Sequence, residues 1–278
     1  MAKVRMGMVG GGEGAFIGGI HRMAAAMDGE IELVCGAFSG DPERSARSGA
    51  MLYLEPERVY GDYRQMMSAE AALPADQRMQ FVAIVTPNDL HFPVAEAALG
   101  AGFHVLSDKP ATLSLAQALQ LRERVRDSGL LYGLTHTYTG YPLVKEARER
   151  ISRGELGKIR KVVVEYTQGW LADRQEDLGN KQASWRLNPA QAGVSSCMGD
   201  IGVHAANLAE YVSGLNITEV CADLSAFVEG RELDDDGSIL LRLERGAKGV
   251  LMASQVCVGE ENALSLRIYG ENGGLEWR

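Results

Sequence analysis

Asp200 and His204 stand four residues apart in Gly199-Asp200-Ile201-Gly202-Val203-His204, which puts both side chains on one face of a helix. A carboxylate beside an imidazole can move protons, the acid orienting or charging the ring. An N-capping aspartate followed by a packed core histidine is the competing reading of the same pair. No third histidine or cysteine falls at a spacing that completes a metal site. Lys109, in Ser107-Asp108-Lys109-Pro110, directly follows the apolar run at 103–106. A lysine at the carboxyl end of a parallel strand points into the crevice where doubly wound sheets bind ligands, and Pro110 keeps it out of helical geometry. Gly10 and Gly12 follow the apolar run at 4–9 and Gly18 opens a helical segment, giving G-x-G-x5-G where the dinucleotide fingerprint has G-x-G-x-x-G. Such glycines let a backbone approach a pyrophosphate at a helix N-terminus. About 20 residues beyond, where a ribose-binding acid is expected, stands Ser39, with Arg44 a little further on. A hydroxyl near a guanidinium suits a 2′-phosphate, and hence NADP, better than a free 2′-hydroxyl. Asp41 or Glu43 turned inward would restore a preference for NAD.

These residues need elements to hold them. Up to about residue 135 the sequence alternates apolar strands (4–9, 31–38, 81–85, 103–106, 130–135) with helices (17–27, 89–101, 114–127). Asp41-Pro42 adds a helix start with a capping acid, and Gly129 a helix stop. Strands that are apolar throughout and alternate with helices make a parallel sheet covered on both faces. Residues 1–135 therefore read as a doubly wound α/β domain suited to a dinucleotide. From 136 the pattern changes. A helix at 142–153 leads to a half-exposed strand at 161–168, then to a long polar stretch at 169–198 with one short helix. After a helix near 200–212 come strands at 219–228, 238–243, 249–256 and 264–269, with turns at Arg245-Gly246 and Glu271-Asn272-Gly273. Residues 136–278 read as an α+β domain with an open, mostly antiparallel sheet. An open sheet face calls for a partner, so a homo-dimer or homo-tetramer is expected.

Composition narrows the choice of partner. The 278 residues carry 46% hydrophobic and 23% charged side chains, enough for a sizeable core without metal or disulfide. A formal net charge of -9 argues against a nucleic-acid backbone as ligand. No run of about 18 uncharged apolar residues is present, so no membrane span is expected. Met1-Ala2-Lys3-Val4-Arg5 leads straight into a strand and leaves no room for a signal peptide. Cys35, Cys197, Cys221 and Cys257 are scattered, as free thiols in a reducing cytoplasm would be.

The glycine turn, Thr86-Pro87-Asn88 with His91, Asp108-Lys109-Pro110, Trp185-Arg186 and Gly199 to His204 occur in the order found in one group of enzymes. Over essentially its whole length the chain resembles the Gfo/Idh/MocA family, which includes glucose–fructose oxidoreductase and inositol dehydrogenase. The resemblance implies a Rossmann domain for NAD or NADP and a second domain whose open sheet also serves oligomerisation. It implies catalytic roles for Lys109, Asp200 and His204 in hydride exchange with a sugar, polyol or inositol. Gly10, Gly12, Gly18, Ser39, Arg44, Thr86, Pro87, Asn88, His91 and Lys109 would contact the cofactor, with Trp185 and Arg186 covering it or the substrate. His136, Tyr138 and Tyr141 are candidate substrate contacts. Three departures stand out: Asp108 replaces a glutamate, the glycine loop is longer, and family members usually run well past 300 residues, so further strands are expected beyond 277. Two other readings stay open on the same fold. One is glycoside cleavage through transient oxidation by held NAD, and the other is a non-catalytic sugar or nucleotide sensor.

Overall fold

Val4–Gly10 forms strand β1 in the computed structural model, which describes residues 3–278. The chain divides into two compact units, Met1–Thr135 and His136–Arg278. In the first, β2 (Ile31–Ala37), β3 (Phe81–Val85), β4 (His104–Ser107) and β5 (Tyr132–Leu134) join β1 in a sheet of order β2-β1-β3-β4-β5. Every pairing in it is parallel. Met8 of β1 and Val82, Ala83 and Ile84 of β3 are completely buried, which explains strands apolar throughout: both faces are covered. The covering helices are α1 (Ile17–Ala26), α2 (Pro42–Met51), α3 (Tyr63–Ala72), α4 (His91–Gly100) and α5 (Leu115–Ser128). Strand order reverses between β1 and β3, so the turns after β1, β3 and β4 gather at the sheet's switch point.

Local chemistry sets the helix ends. Asp41 caps α2 by accepting from the N–H groups of Glu43 (3.0 Å) and Arg44 (3.4 Å). Ser114 caps α5, and Gly129 closes it at φ 66°. Helix α3, which the hydrophobic pattern did not reveal, starts at Asp62 and carries a carboxylate, Glu70, that is fully buried. Glu70 accepts from Arg58 Nε (3.0 Å), Tyr60 Oη (3.1 Å) and the Met79 N–H (2.9 Å). Removing Glu70 leaves the Tyr60 hydroxyl and the Met79 N–H without their acceptor and the half-buried Arg58 without its counter-charge. Glu70→Ala is therefore expected to cost about 3–5 kcal/mol in urea unfolding. A loss below about 1 kcal/mol would place the network among weak surface-type pairs.

In the second unit, β6 (Ile159–Thr167), β7 (Ile217–Ser225), β8 (Asp236–Leu243), β9 (Lys248–Ser254), β10 (Ala263–Gly270) and β11 (Gly274–Trp277) form a sheet of order β11-β10-β6-β9-β8-β7. The sheet is mixed, because β6 and β9 pair in parallel while the other neighbours are antiparallel. Helix α6 (Pro142–Ser152) precedes it, and the polar stretch holds two short helices, α7 (Lys181–Arg186) and α8 (Pro189–Ala192), where one was expected. Helix α9 (Val203–Ser213) buries Ala205, Leu208, Ala209 and Val212, a one-sided stripe, in a core with Val164, Leu251, Leu266 and Ile268. Across the strands, Cys221, Leu240, Val250 and Val163 stand in register, and Leu240 is 62% exposed.

Candidate active site

At the end of β1, Gly10 takes φ 82°, and a Cβ there would lie 2.8 Å from the Val85 carbonyl oxygen. Only glycine makes this turn. A Cβ on Gly18 would come within 2.4 Å of Gly11 Cα, so the loop lies backbone to backbone on the start of α1. That helix begins at Phe16 with no side-chain cap and no acid in its first turn. Its leading N–H groups and positive dipole end thus favour an anion. Gly12 has a packing reason beside the one its spacing suggests. A Cβ there would lie 2.6 Å from Ser48 Oγ and 2.9 Å from the Phe38 carbonyl oxygen.

The lengthened loop is held from two helices. Arg22 of α1 donates to the Gly11 carbonyl at 2.8 Å. From α2, Arg44 donates to the Glu13 carbonyl at 2.5 Å, while Glu13 N–H donates to Ser48 Oγ at 3.0 Å. Arg44 thus reaches the glycine loop itself. Ser39 Oγ accepts from the Asp41 N–H (3.1 Å), and the Asp41 carboxylate is committed to capping α2. Glu43, in the first turn of α2, is exposed.

After β3, the Thr86 hydroxyl is buried and has no hydrogen-bond partner, and Asn88 is buried beside Pro87. His91 departs from its expected role as a cofactor contact. It is 1% exposed, with Nδ1 2.5 Å from the Pro110 carbonyl oxygen and Nε2 3.0 Å from that of Thr86. Its ring sits between the turn after β3 and the turn after β4, and its neutral form donates to one of these two carbonyls. Burial pushes its pKa below the ordinary value, against the two carbonyls, which act the other way. The Asp108 carboxylate likewise holds Lys109 in place: it accepts from the Lys109 N–H (3.1 Å) and from Thr135 Oγ1 (2.8 Å). The shorter acid at this position therefore still performs an anchoring task.

In the second unit, a π-helical turn, Met198–Gly202, runs into α9. Asp234 caps it, accepting from the N–H groups of Ser196 (3.0 Å) and Met198 (2.8 Å). This overturns the reading of Asp200 as a cap. Asp200 Oδ2 instead accepts from Arg186 Nε and from Gln255 Nε2, both at 3.0 Å. Arg186 comes from α7, capped by Asn180; its guanidinium also donates to Gln182 Oε1 (2.8 Å) and stacks 4.2 Å over Trp185. Arg186, expected over the cofactor or substrate, has its charge paired with Asp200. Trp185 is the face on which that guanidinium rests.

His204 lies among aromatic rings, with centroids 5.5 Å from His136, 5.0 Å from Tyr138 and 6.3 Å from Tyr166. Tyr166 Oη donates to Asn262 Oδ1 (2.6 Å), and Asn262 Nδ2 donates to Tyr138 Oη (3.1 Å). A Tyr138–Tyr166 hydroxyl contact closes the ring, so the Tyr138 O–H donates its hydrogen bond to Tyr166 Oη. Burial, with Tyr138 beside it, pushes the Tyr166 phenol well above its ordinary pKa. Tyr138 therefore contributes its ring, its hydroxyl being spent within this network. Tyr141 stacks on it at 6.1 Å and is exposed. Sequence reasoning missed Gln255, Tyr166, Asn262 and Asp234, none of which lies in a local motif.

Among the described residues, no group of three or more His, Cys, Asp or Glu is placed to hold a metal ion, and no helix is long and apolar enough to cross a membrane. With a switch-point glycine cradle in one unit and a held carboxylate beside a histidine in the other, the chain has the parts of a nucleotide-dependent oxidoreductase. Residues 4–136 match the oxidoreductase family with an NAD-binding Rossmann fold, and residues 144–276 match the GFO/IDH/MocA C-terminal domain. The chain belongs to the GFO/IDH/MocA family. It is similar to the uncharacterized oxidoreductase YfiI of Bacillus subtilis, at 32% identity over 99% of this chain and 70% of the relative. Levoglucosan dehydrogenase of Pseudarthrobacter phenanthrenivorans is 27% identical, over 99% of this chain and 73% of its own. Among solved structures, an inositol dehydrogenase homologue from Azotobacter vinelandii complexed with NAD+ superposes with TM-score 0.95 at 37% identity, covering 99% of this chain and 71% of that one. Its complex with NADH and myo-inositol gives TM-score 0.92 at 36% identity, covering 99% and 70%.

Proposed function

We propose that the protein is an NAD(P)-dependent dehydrogenase that interconverts a CH–OH group of a sugar, polyol or inositol with the corresponding ketone or lactone. The observation that carries this reading is the Asp200 carboxylate, gripped by Arg186 and Gln255 one turn ahead of His204. The first unit fits a dinucleotide: a turn that only glycine can make meets a helix N-terminus with no side-chain cap, beside the orphaned Thr86 hydroxyl. Gly10, Gly11, Gly12 and Gly18 would hold the pyrophosphate, Thr86 to Asn88 the nicotinamide side, and Ser39 with Arg44 the adenosine ribose. When bound, the nicotinamide supplies the two-electron acceptor or donor for the substrate carbon. Lys109 donates a hydrogen bond to the reacting oxygen and stabilises negative charge that develops there. His204 takes the hydroxyl proton in oxidation and returns it in reduction. Asp200 orients a neighbouring substrate hydroxyl or the imidazole, and the rings of His136 and Tyr138, with exposed Tyr141, offer apolar faces to a sugar.

The reaction is tested by absorbance at 340 nm with NAD+ or NADP+ and a panel of inositols, aldoses and anhydrosugars. Net growth is expected with at least one of them. Glycoside cleavage without net growth would replace the dehydrogenase by a hydrolase, and binding without turnover by a sensor.

The finer assignment of NADP rests on Ser39 in place of an acid and on Arg44 at the glycine loop. Arg44→Ala is expected to weaken NADP+ binding by about 1–3 kcal/mol more than NAD+ binding in calorimetry. Equal effects on both would reduce Arg44 to a loop brace. We assign the row Cys221, Leu240, Val250 and Val163 to contact with a second copy of the chain, which light scattering tests directly, and the four free cysteines to a reducing cytoplasm.

A further inference from the structure

Gln255 follows β9 and is completely buried. Its backbone is pinned from two sides: its N–H donates to the Asp235 carbonyl (2.9 Å), and its carbonyl accepts from the Leu171 N–H (3.0 Å). The side chain is thereby aimed, and Nε2 donates to Asp200 Oδ2 at 3.0 Å. The other end of the amide is anomalous. Oε1 is buried and has no hydrogen-bond partner. An orphaned buried acceptor destabilises a fold, and a methionine of similar length would fill the same space without it. Nor does the amide flip: turned over, Oε1 would face a carboxylate oxygen.

We infer that Gln255 is a positioning residue for the Asp200 carboxylate, kept for the reaction at some cost to the fold. Arg186 supplies charge to the same oxygen, from a longer side chain on a short helix. Gln255 supplies direction from a fixed backbone. With both donors on Oδ2, rotation of the carboxylate is arrested, and its ionised form is favoured.

The inference rests on the dehydrogenase reading, and its tests separate the two. In Gln255→Met, the melting temperature is expected to hold or rise, while kcat/KM falls about ten- to a hundredfold through misplacement of Asp200. The acid limb of the pH–rate profile moves to higher pH, because one donor to the carboxylate is gone. Gln255→Glu moves it further, since two carboxylates at this distance cannot both ionise easily. Wild-type kcat/KM in Gln255→Met, or a lower melting temperature with an unmoved pH profile, overturns the inference and makes Gln255 a packing residue. If the wild-type protein reduces neither NAD+ nor NADP+ with any substrate, the dehydrogenase reading fails by itself. A carboxyl-carbon NMR titration of Asp200 then decides the positioning role: an upward shift in Gln255→Met supports it, and an unchanged titration overturns it.

Discussion

Lys109→Ala is expected to lower kcat/KM by about 10²–10³-fold while NAD(P) affinity, measured by calorimetry, stays within about twofold of wild type. The backbone around Lys109 is held by groups other than its side chain. The Asp108 carboxylate holds the Lys109 N–H and the Thr135 hydroxyl, and the Asp108 N–H reaches the Ile84 carbonyl at 2.9 Å. His91 fixes Pro110 on the other side. Truncation therefore removes an ammonium group and leaves the turn standing. The glycine cradle is built from β1, α1 and α2, so its grip on a pyrophosphate is independent of this lysine. Lys109→Arg is not expected to rescue, because a planar guanidinium is not a compact point charge. Full turnover in Lys109→Ala, or a matching loss of cofactor affinity, would remove this residue from charge stabilisation.

His204→Asn is expected to lower kcat by about 10²–10⁴-fold, the usual contribution of a proton-transfer residue. What remains should lack the pH dependence that a titrating imidazole imposes and should climb with hydroxide concentration. Asparagine suits the test because it keeps a polar group among the rings of His136, Tyr138 and Tyr166 without titrating near neutrality. An unchanged melting temperature excludes unfolding as the cause. If the wild-type pH profile persists in this variant, another group carries the proton. His136, whose ring meets His204 edge-on, is then the next to replace.

The sheet of the first unit was legible because burial on both faces writes long apolar runs into strands, and Asp41-Pro42 and Gly129 are local signals with local causes. Helix α3 was not, since its buried face of Tyr63, Met66 and Met67 continues in a glutamate, Glu70, whose partners Arg58, Tyr60 and Met79 become visible only in space. The same limit governed the site. Asp200 and His204 stood out by spacing, but the two donors that hold Asp200 lie 14 and 55 positions away. His91 binds backbone carbonyls, which residue types cannot announce. Arg44 was singled out for a phosphate, yet the contact it makes within the protein is a carbonyl 31 positions distant.

The parallel pairing of β6 with β9 also governs when this half of the molecule can form. Lys161 faces Lys248 on one side and Tyr269 on the other, so the central strand finds neither neighbour until more than eighty further residues have been made. On a ribosome, β6 waits with unpaired edges while the segment carrying α7, the Asp200 turn and α9 emerges. Contacts of such long sequence separation fold slowly, and exposed strand edges in the meantime invite association with other chains. The first unit has its last strand by Leu134 and is complete long before. It then stands as a finished neighbour while the slower sheet assembles, and chaperone demand in the cell should fall on the second half of the chain.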